Sequence, residues 1–451
     1  MNDKWKYLLV FLIAFLVYGI TTCIQFNGDV KPAALIPFLI LNQHTLYFDG
    51  VIPHLVDPIN GWGSLYNLIQ VNGHWVSAYP VVTPILTLPI YIIHMLLMLV
   101  FPGGWEYYSV LSKSTASLMM AFTSVLFYSI VNRLFTKKTA ILTTIIFAFG
   151  TLTWAISSQS LWQHGTSEIL LIIMLLCIVK NEISKNTTNF VIIGLCSGLF
   201  IFNRPSDTFL LLPILWYVWI KKEEIYAFLF WAFVSGVPFL VYNIIIFGSV
   251  FGGYNTIATA YAIQPINIVS TVNKILVLFV SPNRGLFVYS PILILSVWGM
   301  WILWKSDKST VRSVLLISIP SILLLAIFHS IHLDTLAGGY TYGPRYLIGA
   351  IPFLCLFCGY SLEKVRGKVW VIFGMLLAIS IVVQAIGAWG YPYSEWNQRS
   401  DLRDKDRVWD IEDVQIIDSF WSIGKTTSIS VFIWPTLPPP FGYWVLWERL
   451  R

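Results

Sequence analysis

The sequence predicts an all-α polytopic membrane protein with about eleven transmembrane helices, an inside N-terminus and an outside C-terminus. Composition is the first reason: 57% of the 451 residues are hydrophobic, 11% are charged and the mean hydropathy is +0.73. Soluble domains carry about 25% charged residues. The second reason is the repetition of apolar runs of about 20 residues, which are long enough to cross a bilayer. The third is the one-sided distribution of basic residues between those runs.

The first apolar run is predicted to be an uncleaved span, because its core is long and no small-residue cleavage site follows it. The predicted spans are 5–26, 109–135, 138–156, 166–179, 188–202, 206–220, 225–247, 286–304, 311–329, 345–361 and 369–391. With this set, fifteen Lys and Arg residues lie in the inside segments and six in the outside loops before residue 392. That asymmetry fits the positive-inside rule. The scattered basic residues do not indicate a nucleic-acid partner.

Segment 81–101 is apolar but is not counted as a span. If it crossed, the basic loop around Arg133 and Lys137 would lie outside, against the positive-inside rule. Pro84 and Pro89 are expected to break its helix. We therefore predict a juxtamembrane or re-entrant segment on the outer face.

This topology predicts two parts of the chain. Residues 1–391 form the transmembrane domain, whose first outer loop, 27–109, contains the juxtamembrane segments. Residues 392–451 form a small, mixed extracytoplasmic C-terminal domain, because 16 of these 60 residues are charged and strand-like runs follow. All five cysteines lie in or beside apolar runs, which does not indicate a disulfide framework.

Polar residues that could carry chemistry collect on the predicted outer face. Asp29 is the first acid after the first span. Three isolated arginines, Arg204, Arg284 and Arg345, each stand beside Pro or Gly. The other candidates for substrate contacts are His164 and Glu168, four residues apart on one helix face, together with His74, Tyr79 and Tyr342. No cofactor is assigned from the sequence, which leaves a divalent metal open but does not indicate one.

Several motifs resemble those of the GT-C glycosyltransferases. NGD (27–29) stands where that superfamily has its first-loop catalytic acid. GHWVSAYPVVTPILTLPIY (73–91), with a later span ending in NRLFTKKTA (132–140), resembles the protein mannosyltransferase and aminoarabinose transferase branch. SGLFIFNRPSD (197–207) resembles a G-x-x-x-x-x-R-P element of related membrane proteins. Val30 follows Asp29 where many members have a second acid, which argues against a metal-bridged acidic pair.

The resemblance implies an integral plasma- or inner-membrane enzyme whose partners are a polyprenyl-phosphate-linked sugar, membrane lipid, and a glycan, lipid or protein acceptor. Asp29 would be the general base for an acceptor hydroxyl. Arg204, Arg284 and Arg345 would bind the donor phosphate, because guanidinium groups are permanently charged and make bidentate phosphate contacts. One base and no second nucleophile predict inversion at the anomeric carbon.

Two other functions remain open from the sequence. A transporter or flippase of lipid-linked glycans would also be polytopic, although transporters usually place ionisable groups within their helices and are built from repeats. A non-catalytic assembly partner derived from the same ancestry would retain the architecture without the activity.

Overall fold

A computed structural model describes residues 3–21, 29–52, 67–100, 107–254, 267–332, 338–339, 341–391, 396 and 407–423. Within these ranges the chain is a bundle of helices with one small hairpin. The helices are α1 (Asp3–Ile20), α2 (Lys31–Phe38), α3 (Val82–Val100), α4 (Tyr107–Leu134), α5 (Lys137–Phe149), α6 (Gln163–Ile183), α7 (Thr187–Asn203), α8 (Leu212–Ile220), α9 (Ile225–Phe247), α10 (Ile268–Val280), α11 (Leu286–Tyr289), α12 (Leu295–Trp304), α13 (Thr310–His332), α14 (Ile351–Lys364), α15 (Val369–Gly390) and α16 (Gln415–Trp421).

Five segments of the described chain are long and apolar enough to cross a membrane. They are Val110–Leu134, Lys222–Phe247, Thr310–Ile331, Arg345–Lys364 and Val369–Gly390. Shorter apolar helices lie between them along the chain. The structure is therefore that of a mostly helical membrane protein, while the count of eleven spans and the orientation stay predictions.

The prediction that prolines break segment 81–101 is wrong. α3 is one continuous helix from Val82 to Val100. Pro84 falls in its first turn, where a missing N–H breaks no helical hydrogen bond. Pro89 lies inside the helix. Helices in apolar surroundings tolerate an internal proline when neighbouring groups satisfy the freed carbonyl.

Close helix packing depends on glycines at two contacts. Gly194 and Gly198 form a G-x-x-x-G pair on α7, which faces α9. A β-carbon on Gly198 would lie 2.3 Å from the carbonyl oxygen of Ala232. On α12, a β-carbon on Gly299 would lie 1.9 Å from the Phe357 carbonyl oxygen of α14. Small residues at such contacts let helix backbones approach closely in membranes.

A two-stranded hairpin in the first loop is an element that the sequence analysis missed. β1 (Leu68–Val71) pairs antiparallel with β2 (His74–Ser77). Asn72 and Gly73 connect the strands with φ of 51° and 85°. Asn-Gly is the strongest short-range signal for a two-residue hairpin, so VNGHW already contained this information.

Only part of the C-terminal tail falls within the described residues. Trp396 and residues 407–423 lie against the helical domain, where a β-carbon on Gly390 of α15 would be 1.9 Å from the Ser419 carbonyl oxygen of α16. The strand-like run at 426–434 lies outside the described residues.

Candidate functional site

The Asp29 carboxylate lies between two side chains from distant parts of the sequence. The Tyr79 hydroxyl donates a hydrogen bond of 2.7 Å to Oδ1. The Arg345 guanidinium donates to Oδ2 and forms an ion pair across 316 positions of sequence. The side chains of Asp29 and Arg345 are 12% and 14% exposed, so the pair is largely withdrawn from solvent. Charge-assisted hydrogen bonds of this kind hold a carboxylate in a fixed orientation.

Aromatic rings surround the guanidinium of Arg345. It lies 5.3 Å from the ring centroid of Trp162 and 5.4 Å from that of Tyr346. These contacts are cation–π interactions. Nε of Arg345 is buried and has no hydrogen-bond partner within the described part of the chain. The arginine therefore retains one donor that the described residues leave unused.

Tyr79 is positioned by the turn after β2 and by a second tyrosine. Its backbone N–H donates to Ser77 Oγ at 3.0 Å. The ring of Tyr254 lies edge-on to the Tyr79 ring with centroids 5.9 Å apart. The Tyr254 hydroxyl donates to Gln163 Oε1 at 2.7 Å, which joins the segment after α9 to the beginning of α6.

Arg204 lies between α7 and the 3₁₀ turn Pro205–Leu211, as an ion pair with Asp207. Asp207 is fully buried and Arg204 is 6% exposed. Asn203 donates to the Gln163 carbonyl and accepts from Thr83, so α7 is fixed to both α6 and α3 at this level. Buried charges of this kind persist when they are paired.

Two histidines complete the cluster. His164 is 5% exposed, and its Nδ1 has no hydrogen-bond partner among the residues that the structure describes. It is within electrostatic range of Arg204, Arg345 and His329. The His329 ring stacks on Tyr346 with centroids 4.5 Å apart. Several cationic or hydrogen-bonding groups thus face one region beside Asp29.

Five of the nine predicted site residues come together in this cluster: Asp29, Tyr79, His164, Arg204 and Arg345. Glu168 lies one turn further along α6, fully buried, where Thr153 Oγ1 donates to it at 2.7 Å. Together with Arg204 and Asp207, it is one of the ionisable side chains that this part of the helical domain buries.

Arg284 has a different set of partners from the one expected. It is 1% exposed, and its guanidinium donates to Gln415 Oε1 of the tail at 2.6 Å and lies over the Trp396 ring. Burial lowers the pKa of Arg284 to about 10, so it stays charged at neutral pH. Its Nη2 makes a longer contact, 3.4 Å, with the carbonyl oxygen of Gly339. A β-carbon added to Gly339 would lie 3.5 Å from Nη2 of Arg345, so Gly339 lies close to both arginines.

Tyr342 and His74 also lie apart from Asp29. Tyr342 is fully buried, and its hydroxyl donates to the Val383 carbonyl of α15 at 2.7 Å. His74 is half exposed on β2, bonded to Asp49 at 2.7 Å and stacked on Tyr47 at 4.3 Å. Partial burial of Asp49 is outweighed by hydrogen bonds from the Trp75 N–H and from His74, so the pKa of that carboxyl is lowered.

Trp162, Gln163, Tyr254, His329 and Tyr346 are site residues that the sequence analysis did not assign. Trp162 and Gln163 belong to the polar segment SLWQHGTSE, which contains His164 and Glu168, so its clustering of polar residues was a usable signal. Tyr254 and His329 gave no such signal, because their proximity to Asp29 arises only from the packing of α9 and α13.

Comparison with known proteins gives a fold likeness. No family model matches the chain, and no curated protein matches it. Among solved structures, it is similar to the oligosaccharyltransferase of Archaeoglobus fulgidus, in a complex with Zn and sulfate, with TM-score 0.50 and 12% identity over 89% of this chain and 57% of that one. The same enzyme tethered by a disulfide to an acceptor peptide containing the NVT sequon gives TM-score 0.50 and 12% identity, over 90% and 59%. At this identity, the likeness shows a shared fold, and the chain spans somewhat more than half of the enzyme's length.

The described residues beside Asp29 do not fit a divalent metal. Within that part of the chain, no group of three or more His, Cys, Asp or Glu side chains has the arrangement of a metal site. Asp29 instead faces a guanidinium, which has no acceptor lone pair, and a phenol hydroxyl that donates its hydrogen to the carboxylate.

Proposed function

We propose that this protein is a membrane glycosyltransferase that moves a sugar from a polyprenyl-phosphate donor to an acceptor at the outer face of the cell membrane. The single observation that carries the proposal is the Asp29 carboxylate, held by Tyr79 and Arg345 at the start of the first loop. The fold likeness to an oligosaccharyltransferase supports it, since that fold accommodates an enzyme of this name together with an acceptor peptide.

Asp29 is the general base in this proposal. An acceptor hydroxyl gives its proton to a carboxylate oxygen of Asp29, and its oxygen forms a bond to the anomeric carbon. The bond between that carbon and the phosphate oxygen breaks, and its electron pair leaves with the carrier phosphate. A single displacement of this kind inverts the anomeric centre. General-base assistance contributes roughly 10²–10⁴-fold in rate.

Arg345 and Arg204 stabilise the leaving phosphate. Developing charge on the phosphate oxygens requires cations that are already in position. Nε of Arg345 and Nδ1 of His164 are buried and lack partners among the described residues, so both can turn to a ligand that enters the site. Trp162 and Tyr254 provide aromatic surfaces for a sugar ring beside these groups.

The remaining predicted residues have supporting roles in this proposal. Arg284 contacts Gly339, which also lies close to Arg345, and adds positive charge to this side of the site. Tyr342 fixes the loop before α14 through Val383. His74 stabilises the hairpin through Asp49, and Glu168 packs inside the bundle with Thr153.

A flippase for lipid-linked glycans is the second candidate, and the burial of Glu168 within α6 favours it. Ionisable groups inside a membrane domain commonly mark a transport pathway. The two functions differ in their critical residue. The transferase requires Asp29, whereas a flippase requires groups along a path through the helices.

The test is incubation of purified protein with a panel of radiolabelled polyprenyl-phosphate sugars and acceptor extracts, with released carrier phosphate as the readout. We expect release by the wild-type protein and at least 100-fold slower release by Asp29→Asn, with donor binding retained. Asp49→Asn is the matched control, because it neutralises another acid of the same loop that bonds to His74. Full release by Asp29→Asn, together with loss of donor movement in Glu168→Gln vesicles, would favour the flippase.

A further inference from the structure

The C-terminal tail inserts one side chain into the loops that carry the site arginines. Gln415 is the first residue of α16 and is fully buried. Its Oε1 accepts from Arg284 at 2.6 Å, from the Tyr289 hydroxyl at 2.8 Å and from the Gly343 N–H at 3.0 Å. Its Nε2 donates to the Thr341 carbonyl at 2.8 Å. One glutamine therefore bonds to both ends of the 341–343 turn.

The contact is reciprocal. Asn283, which precedes Arg284, is also fully buried. Its Nδ2 lies 2.9 Å from the carbonyl oxygens of Arg407 and Asp410, and its Oδ1 accepts from the Gln415 N–H at 2.8 Å. The helical domain thus inserts an asparagine into the tail, while the tail inserts a glutamine into the helical domain.

The turn held by Gln415 leads directly to Arg345. Gly343 has φ of +63°, a conformation that suits glycine, and a β-carbon there would lie 2.6 Å from the Tyr289 ring. Pro344 follows and limits the backbone further. Arg345 is the next residue, so the direction of its side chain toward Asp29 depends on the geometry of this turn.

We propose that Gln415 is a positioning residue: its side chain holds the 341–345 turn, and through that turn the C-terminal tail sets the geometry of the Arg345–Asp29 ion pair. The catalytic consequence rests on the proposed function, whereas the structural consequence does not. The proposal assigns the tail a role in the site through the turn that leads to Arg345.

The experiment compares Gln415→Met, Gln415→Glu and Gln384→Met with the wild-type protein in nanodiscs. Met retains the length of the side chain and removes its hydrogen bonds. Glu retains the acceptor for Arg284, Tyr289 and Gly343. Gln384 is the matched control, because it is a fully buried glutamine that donates to the Tyr289 carbonyl at 2.6 Å, outside the 341–345 turn.

Two readouts do not require activity. The first is hydrogen exchange of the peptide that contains Gly343, normalised to a peptide from α4 so that global unfolding is recognised. The second is the rate of phenylglyoxal modification of Arg345, measured by mass spectrometry. We expect at least tenfold faster exchange and faster modification in Gln415→Met, partial recovery in Gln415→Glu, and wild-type values in Gln384→Met. Equal values in Gln415→Met and Gln384→Met would overturn the proposal.

The kinetic readout separates this inference from the proposed function. If sugar transfer is detected, Gln415→Met should lower kcat about tenfold with KM changed less than twofold. Gln415→Glu should recover part of the lost kcat. A lower kcat in Gln384→Met of the same size would indicate a general packing effect and refute the positioning role. If no donor is turned over by the wild-type protein, the proposed function fails, while exchange and modification still decide whether Gln415 holds Arg345.

Discussion

Removal of the Tyr79 hydroxyl is the sharpest test of the proposed base. Tyr79→Phe deletes one hydrogen bond of 2.7 Å to Asp29 Oδ1 and leaves the ring in place against Tyr254. The ion pair with Arg345 stays. Asp29 retains its charge but loses one of the groups that orient it.

The size of the effect follows from the type of bond. A hydrogen bond to a charged group contributes about 1.5–3 kcal/mol. If that whole amount orients the base in the transition state, kcat/KM falls by about 10- to 150-fold, since about 1.4 kcal/mol corresponds to a factor of ten. We expect a value toward the lower end, because Arg345 still holds the other carboxylate oxygen.

The assay is release of carrier phosphate by four proteins: wild type, Tyr79→Phe, Asp29→Asn and the double variant. Because Tyr79 acts through Asp29, its removal should change the rate less than about threefold when Asp29 is already Asn. Residues that act as one unit give such non-additive effects.

Full additivity of the two changes would refute the reasoning, since it would mean that Tyr79 acts independently of the carboxylate. Tyr91→Phe is the control. The Tyr91 hydroxyl is buried without a hydrogen-bond partner in the described part of the chain, so its removal should leave transfer unchanged.

Three further predictions concern the fold. Gly198→Val should lower the free energy of unfolding by about 1–3 kcal/mol through overpacking against α9, and the measurement is the melting temperature in detergent. Gly374→Val is the control and should have little effect, because a β-carbon on Gly374 would have no atom within 4 Å. Because the pKa of Asp49 is lowered in the fold, its contribution of about 1 kcal/mol or less is present at neutral pH and lost as the pH falls through the folded pKa. The protection factors of residues 68–77 against hydrogen exchange should therefore fall in acid, and Asp49→Asn should remove this change. A cysteine at position 137 should react with membrane-impermeant reagents only from inside; labelling from outside would overturn the eleven-span topology.

Hydropathy predicted the helices well because the apolar runs are long and the breaks between them contain Pro, Gly or charge. The expectation that prolines break a helix failed at α3, where the position and surroundings of each proline matter more than its presence. Pro84 occupies the first turn, where no helical hydrogen bond is lost. Pro89 lies in the interior, where a helix in apolar surroundings tolerates proline when neighbouring groups satisfy the freed carbonyl. The hairpin was missed for the opposite reason, since a local signal, Asn72-Gly73, was available and was not used.

The site was predictable only in part. Asp29 and Arg345 could each be selected for charge and neighbours, but their pairing across 316 positions comes from the packing of helices. The same limit applies to Gln415, an ordinary glutamine within a polar tail. Nothing in its sequence surroundings shows that it bonds to Arg284 and Gly343. Arg284 resembled the other arginines in sequence, and only its burial against the tail separates it from them.

In the proposed reaction, the ion pair between Asp29 and Arg345 links two tasks of one site: activation of the acceptor hydroxyl and stabilisation of the leaving phosphate. While Asp29 is ionised, Arg345 is held by it and by the aromatic rings of Trp162 and Tyr346. When Asp29 accepts the proton of the acceptor hydroxyl, its negative charge is lost and its attraction for the guanidinium weakens. The leaving phosphate gains negative charge in the same step. Arg345 would then redirect its hydrogen bonds from the carboxylic acid to the phosphate without leaving the site. In this proposal a guanidinium, fixed by the turn before it, stabilises the negative charge that passes from the carboxylate to the leaving phosphate.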